Sequence, residues 1–375
     1  MQQAIQASDS VWRDGRDLSL PPLRGEQRAD VCVIGLGGSG LSAIEELLAA
    51  GVDVIGIDAG RVAAGAAGAN GGFLLAGLAQ FHHDAVARFG HERALGIYAL
   101  TRRELDARFA APDSSCRRTG SLRIAATAEE EADCVRQIEA MQRDGLAAEA
   151  YLGAEGRGVL IPDDGVFDPA LHWAALAARL RASGVVLFGD SPVQRTDAGR
   201  VDTAQGCVRA GCVLVAVDGG LEVLLPQLAG EVRSARLQML ATAPARECSL
   251  ARPVYYRDGH DYWQQLADGR VVLGGGRDIG GDAEWQHEAG VSQPVQAHLE
   301  HLLRDRLGTR AAITHRWSAR VAFTTRGLPQ FGALTPQLFV TGAYNGTGNI
   351  FGALCGRALA QLVLGQRTEL AEWLA

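Results

Sequence analysis

Four residues near the start of the chain have the types and spacing to hold a dinucleotide: Gly35, Gly37, Gly40 and Asp58. The first three lie in Asp30-Val-Cys-Val-Ile-Gly-Leu-Gly-Gly-Ser-Gly-Leu, a GxGxxG between an apolar run and a helical pattern. Gly35 permits the tight turn, Gly37 lets backbone approach a pyrophosphate, and Gly40 lets the helix pack closely on the strand. Gly38 and Ser39 open that helix, whose free N–H groups and positive dipole end suit phosphate. Asp58, followed by Ala59, closes the second strand, where a carboxylate accepts hydrogen bonds from ribose hydroxyls. The pattern predicts dinucleotide binding without separating FAD from NAD.

Other residues offer weaker chemistry. Tyr255, Tyr256, Tyr262 and Trp263 fall in one strand-like block, where an aromatic wall would suit a cationic or neutral amine but equally a hydrophobic core. Arg277 follows three glycines and could meet a carboxylate or form a surface ion pair. His82-His83-Asp84 has two metal-ligating types side by side, but adjacent helical positions diverge and no third ligand is evident, so no metal is expected. No Ser/His/Asp set or paired carboxylates stand out.

The elements that must position these residues are readable in outline. Ala29 to Gly35 is a buried strand, Gly38 to Ala50 a helix, and Val52 to Asp58 a second strand: a βαβ start. A small-residue loop follows over 61–77, beginning at Arg61, with little to pack but able to approach a ligand closely. Residues 83–111, 128–145, 169–183 and 292–308 have helical periodicity, with a strand over Gly120 to Ala126. From 231 to 276 the pattern alternates, and Asp268-Gly269 joins Tyr262–Leu266 to Val271–Gly274 as a hairpin. Leu338 to Thr341 is a short strand before a second glycine-rich turn, Gly342 to Gly348, and a helix to about 365.

Bulk properties narrow the classes. The 375 residues exceed one compact core and imply two domains. A net charge of −7 argues against nucleic acid as a partner. All 36 basic residues are arginine, which excludes a lysine Schiff base, P-loop lysine or lysine general base. Seven scattered cysteines with no CxxC pair, no secretory pattern in Met1 to Ser10, and no apolar run of membrane-spanning length predict a reduced, cytoplasmic protein without an integral membrane segment.

With these residues in view, the chain resembles the D-amino-acid oxidase superfamily of FAD-dependent oxidoreductases, on its gamma-glutamylputrescine oxidoreductase-like and glycine oxidase-like side. The likeness runs through Trp12, Gly35–Gly40, Asp58, Gly68-Ala-Asn70-Gly71-Gly72, Phe167-Asp-Pro, Gly269 through Asp278, His315-Arg-Trp317, Gly327-Leu-Pro329 and Gly342-Ala-Tyr344-Asn345-Gly346-Thr347-Gly348. It implies FAD as cofactor. Asn70, Gly71 and Gly72 would then lie along the flavin, Gly346, Thr347 and Gly348 at its pyrimidine end, and Val193 by the adenine.

Three departures qualify the resemblance. Some relatives tether FAD through a cysteine just before Phe323-Thr-Thr, but Val321 and Ala322 stand there, so FAD is expected to be non-covalent. Sarcosine-oxidase-like members activate oxygen with a lysine, and this chain has none. The arginine that clamps a substrate carboxylate falls at Val321 by spacing, with Arg320 one residue off, which favours an amine lacking a clamped α-carboxylate.

The expectation is an α/β protein. A Rossmann-like FAD domain (1–80, 150–222 and 318–375) joins an α+β substrate domain with a large antiparallel sheet (81–149 and 223–317). The implied reaction oxidises an amine or amino-acid C–N bond by hydride transfer to flavin N5, giving an imine that hydrolyses, with oxygen or another acceptor reoxidising the flavin. The substrate-pocket candidates are Tyr255, Tyr262, Arg277 and Arg320. A non-catalytic or subunit-type flavoprotein and a nicotinamide-dependent dehydrogenase remain as alternatives, and oligomeric state is open.

Overall fold

In the computed structural model, which describes residues 5–111, 115–197 and 199–374, the chain forms two compact units. One comprises 12–69, 169–235 and 320–375; the other comprises 1–11, 70–168 and 236–319. Residues 1–4 of the expected polar arm, with 112–114, Ala198 and Ala375, lie outside the described residues.

The first unit is built on a sheet ordered Val193–Asp197, Arg200–Thr203, Gly206–Ala216, Gly25–Ile34, Val54–Ile57, Val186–Phe188. Leu338–Gly342 pairs parallel with the carboxyl half of Gly206–Ala216, and Gln330–Thr335 pairs antiparallel with Leu338–Gly342. The strands from 25, 54, 186 and 338 are parallel to their neighbours in the central sheet and mostly apolar at its centre, as expected for a sheet buried on both faces. Their register matters most. Ile57 pairs with Ile34, Ile34 with Val215, and Val215 with Val340. The segments that follow these residues therefore leave one edge of the sheet together, the carboxyl edge where ligands bind in open α/β folds. The helices Gly38–Ala49 and Gly348–Val363 pack on each other closely: a Cβ on Gly356 would lie 2.0 Å from the Ser39 carbonyl oxygen.

The second unit carries an eight-stranded sheet ordered Ile313–Thr324, Val232–Pro244, Arg270–Gly275, Asp261–Gln265, Val254–Tyr256, Ser121–Ile124, Gly156–Ile161, Glu149–Gly153. The division between units falls inside the first two of these strands. The Asp268-Gly269 hairpin forms as expected. The sheet is not wholly antiparallel: Val254–Tyr256 runs parallel to Ser121–Ile124, because distant chain segments rather than a hairpin bring them together. One face presents the row Leu122, Val254, Trp263, Leu273 and Leu240, packed against Val295, Leu299, Leu302 and Leu303. Those last residues belong to the helix Gln293–His301 and the π-helical turn Leu302–Arg306 that continues it. Strand alternation sends the row one residue along, Arg123, Tyr255, Tyr262, Gly274 and Met239, to the other face.

The units differ from the expected domain boundaries at 1–11, 70–80, 150–168, 223–235 and 318–319, and strand pairing explains two of these differences. Residues 150–168 were expected beside the dinucleotide site, but the hairpin of Glu149–Gly153 and Gly156–Ile161 extends the eight-stranded sheet. Residues 70–80 also belong to the second unit, since Phe73–Leu74 pairs with Gly165–Phe167 in a three-stranded sheet completed by Cys116–Arg118. Pairing partners far along the chain made both assignments. The helical stretch 83–111 is two helices, His82–Phe89 and His91–Ala110, broken at Gly90 with φ 85°.

Candidate functional site

The first glycine turn has the geometry its spacing predicts. Gly35 has φ +100°, and a Cβ there would lie 2.5 Å from the Ala216 carbonyl oxygen. At Gly40 a Cβ would lie 1.7 Å from the Gly35 carbonyl oxygen, so only glycine lets the helix start so near the strand end. The helix begins after Gly37 with no side-chain cap and no acidic residue in its first turn. Its positive end is thus left for an external anion. Trp173 covers Gly38, where a Cβ would meet its ring at 2.8 Å.

Asp58 directs one carboxylate oxygen to this turn and the other to the backbone that follows it. Oδ2 accepts from the Leu36 amide at 2.7 Å and Oδ1 from the Gly60 amide at 2.9 Å. Burial raises its pKa, and the two amides oppose that rise. Each oxygen keeps a second lone pair for a ribose hydroxyl. Arg61 and Ala59 continue the same segment, and the following loop is clasped by Arg13, whose guanidinium donates to the carbonyls of Ala63 (2.7 Å) and Gly65 (3.3 Å). Val193 starts the edge strand opposite Thr203, half-buried against the core.

The second glycine turn follows Leu338–Gly342. Ala343, Asn345 and Gly346 all have positive φ (52°, 54° and 88°), and two of them are not glycine. Such strain persists only where surroundings hold it. Asn345 is held by Thr324, whose amide donates to Asn345 Oδ1 at 2.9 Å, and by its own amide donating to the Ala322 carbonyl at 3.2 Å. Asp218 holds Tyr344, accepting from its amide at 3.1 Å, and accepts from the Ala322 amide at 3.3 Å. Burial pushes Asp218 up to about 6 against these backbone hydrogen bonds. Thr347 donates its hydroxyl to the Tyr344 carbonyl at 2.7 Å, and the helix from Gly348 has no acidic residue in its first turn. The two turns are joined where Ser39 Oγ and Tyr344 Oη, both buried, lie 2.5 Å apart.

In the second unit, Tyr255 and Tyr262 are cross-strand neighbours whose rings meet edge-on at 5.9 Å, and Phe73 packs edge-on against both, at 5.1 and 6.0 Å. The Tyr262 ring lies over Gly274, where a Cβ would meet it at 2.5 Å. The turn Asn70-Gly71-Gly72 stands against this cluster. Asn70 Oδ1 accepts from the Gly72 amide at 2.7 Å, Gln264 donates to the Gly71 carbonyl, and a Cβ on Gly71 would touch the Tyr262 ring at 3.1 Å. Buried Asp261 pins the end of the tyrosine hairpin, accepting from the Gly276 amide at 3.0 Å and pairing with Arg257 at 2.6 Å and His298 at 3.0 Å.

The remaining candidates do not join this cluster. Arg277 stacks on Trp285, 5.0 Å from the ring centroid, and burial lowers its pKa. Arg320 is exposed in the first unit, its backbone against Gly219. His82 and His83 diverge as expected, His82 to Asp144 (2.7 Å) and His83 to Asp133 (2.9 Å). A third ligating group is nonetheless present, since His83, Asp84 and Asp133 offer atoms within 4.8 Å of one another. Asp133 is also paired with Arg136. Sequence reasoning missed Arg13, Asp218 and the Ser39–Tyr344 contact: Arg13 and Asp218 lie in no motif, Ser39 and Tyr344 lie in two separate ones, and only the fold brings them together at the turns.

Known proteins share this organisation. Residues 30–362 match the profile of the family described as DAO, FAD dependent oxidoreductase. The chain is 28% identical over 368 residues to gamma-glutamylputrescine oxidoreductase of Escherichia coli, covering 90% of this chain and 84% of that protein. It is 24% identical over 400 residues to the probable oxidoreductase OrdL of Haemophilus influenzae, covering 96% and 89%. In fold it is similar to glycine oxidase from Geobacillus kaustophilus, with a TM-score of 0.74 at 21% identity, covering 93% of this chain and 98% of the other. It is likewise similar to L-proline dehydrogenase from P. horikoshii, with a TM-score of 0.71 at 18% identity, covering 95% and 97%. No helix among the described residues is long and apolar enough to cross a membrane.

Proposed function

Since the chain belongs to the FAD-dependent oxidoreductase (DAO) family and is an FAD-dependent enzyme, we propose that it oxidises the C–N bond of an amine or amino acid, with FAD held non-covalently. The observation that carries the cofactor assignment is the pair of uncapped, acid-free helix starts at one carboxyl edge, joined through Ser39 and Tyr344. One such start suits any dinucleotide; two suit a cofactor with a pyrophosphate at one place and an anion-forming ring at another. This favours FAD over nicotinamide.

The residues fit the group. Amides of Gly37, Gly38, Ser39 and Gly40 would take the pyrophosphate, and Asp58 the ribose, with Ala59 and Arg61 beside it. The edge at Val193 would meet the adenine. Asn70, Gly71 and Gly72 would complete the ring's surroundings, while Gly342, Asn345, Gly346, Thr347 and Gly348 would supply the pyrimidine end. No cysteine lies in the 321–325 stretch that would offer a tether.

FAD, when bound, supplies the two-electron acceptor. The chain's task is then to hold the amine in its neutral form and in place, which needs little acid–base machinery. The face bearing Tyr255 and Tyr262 is the proposed seat of the amine, as aromatic rings accept it in either charge state. The imine released would hydrolyse in water. With no lysine in the chain, reoxidation by oxygen would proceed without an ammonium group at the ring.

The test is anaerobic addition of a panel of amines and amino acids to the purified yellow protein, followed by admission of air. Bleaching by at least one member is expected. A flavin that no member bleaches would return the protein to the non-catalytic reading, and the rate of recolouring in air separates oxidase from dehydrogenase.

A further inference from the structure

Asp218 stands two residues beyond Ala216, which pairs with Thr341 in the parallel register, so its carboxylate emerges beside the second glycine turn. It ties two segments there. Oδ1 accepts from the Tyr344 amide at 3.1 Å and Oδ2 from the Ala322 amide at 3.3 Å, and the Ala343 amide donates to it as well. The Ala322 peptide is gripped from its other end, since its carbonyl accepts from the Asn345 amide at 3.2 Å. Ala343 and Asn345 are the two non-glycine residues of the turn with positive φ. Asp218 therefore holds one of them directly and the other through Ala322, and such backbone strain persists only where it is held.

Every partner of this carboxylate is a donor. An ionised carboxylate suits them because it only accepts. A protonated one has to place its O–H among amides that are themselves donors, so at least one tie is lost. Among the described residues Asp218 has no ion-pair partner. Glu222, from the helix Leu221–Leu224, is a like charge engaged by Ser234. Arg320, from the strand Ile313–Thr324, turns its guanidinium to Gly220, and the Tyr344 hydroxyl is turned to Ser39. Burial of this lone charge raises the carboxyl to about 6, within reach of mildly acid solution.

We propose that the ionisation of Asp218 controls the grip of the second glycine turn on FAD, so that the protein releases its cofactor reversibly in mildly acid solution while staying folded. This rests on the reading that the turn takes the pyrimidine end of the flavin. Proton linkage sets the direction. The turn that binds is the one held by the carboxylate, so affinity for FAD is full above about pH 6 and falls below it. The fold responds the other way. A carboxyl raised from about 4 unfolded to about 6 folded contributes stability that is fully present below pH 4 and lost as pH rises through 6. Acid at Asp218 therefore loosens the cofactor without loosening the unit, whereas acid unfolding does both.

The test is equilibrium dialysis of the holoprotein at fixed ionic strength from pH 8 to pH 5, with free flavin read by fluorescence. The parent's Kd for FAD should rise about tenfold from pH 7 to pH 5, as one proton binding near pH 6 gives, and recover on neutralisation. Asp218→Asn cannot ionise and sets an NH2 group against the amides. It should bind FAD at least tenfold more weakly at pH 8, with no further change to pH 5. Asp58→Asn removes the other buried carboxyl of the cofactor site and should keep the parent's pH dependence. His172, packed on the Trp173 that covers Gly38, gains positive charge in acid, which favours phosphate and so acts in the opposite sense. A parent Kd that stays flat from pH 8 to pH 5, or a rise that survives in Asp218→Asn, overturns the proposal and leaves the cofactor reading standing. Protein that holds no FAD at any pH overturns both. Circular dichroism at each pH separates release from unfolding, and release that comes only with loss of the fold also overturns it. If Asp218→Asn does not fold, the parent and Asp58→Asn decide, because a dependence that vanishes in Asp58→Asn assigns the gate to Asp58 instead.

Discussion

Ser39 and Tyr344, 305 positions apart in the chain, place their hydroxyl oxygens 2.5 Å apart in the interior of the first unit. One belongs to the first turn of the helix after the opening glycine motif, the other to the strained turn before the last long helix. Thr341 adds a second hydroxyl 3.3 Å from Tyr344 Oη. Tyr344→Phe leaves Ser39 with a buried unsatisfied hydroxyl and should cost about 1–3 kcal/mol in urea unfolding. Adding Ser39→Ala to that variant should cost less than the sum of the two single changes, because the pair is lost only once. Simple additivity would mean the contact contributes nothing.

Gly40 tests the turn itself. A methyl group there has no room, since it would fall 1.7 Å from the Gly35 carbonyl oxygen. Gly40→Ala must displace the helix start from the strand end, costing about 1–3 kcal/mol as overpacking does. The purified variant should also carry much less flavin per chain, read from the ratio of visible to ultraviolet absorbance. Full flavin loading in a stable Gly40→Ala protein would show that the close approach is not required.

Asp164 gives the second unit a pH dependence. It is fully buried, with Oδ2 accepting from Ser121 Oγ at 2.6 Å and Oδ1 from the Ala76 amide at 3.2 Å. Burial raises its carboxyl to about 7 despite these bonds. A carboxyl with a higher pKa folded than unfolded contributes stability that is fully present below about 4, the unfolded value. That contribution is lost as pH rises through about 7. Asp164→Asn cannot titrate, so its melting temperature should gain on the parent's from pH 4 to pH 8. Curves that stay parallel would contradict the assignment.

Arg236 and Glu284 form a two-bond pair, Nε to Oε2 at 2.8 Å and Nη2 to Oε1 at 2.9 Å, with Glu284 also bonded to Gln238 and Ser292. Burial disfavours the Glu284 charge, yet Arg236 and the two polar neighbours hold its pKa below the usual value. Glu284→Ala strands a buried guanidinium and should cost about 3–5 kcal/mol. Replacing both with Met and Leu should cost far less. A small effect of the single change, measured by urea unfolding, would mean that water reaches Arg236.

Local backbone chemistry was legible in the residues alone. Gly35 and Gly40 announce their turn because no other residue fits that conformation and approach. Asp268-Gly269 announces its hairpin, and Gly342 to Gly348 a second glycine turn, for the same kind of reason. Apolar runs marked the buried strands. The reading faltered where partners lie far apart in sequence. Residues 150–168 and 70–80 joined the second unit through strand pairings that no local pattern encodes. Asp218 and Arg13 belong to no motif, and strand register sent Asp218 out at the edge where Tyr344 emerges. The sequence by itself determined where the backbone must turn, since φ and Cβ sterics are properties of single residues. Only the tertiary structure decided which side chains face those turns, since that depends on distances between segments far apart in the chain.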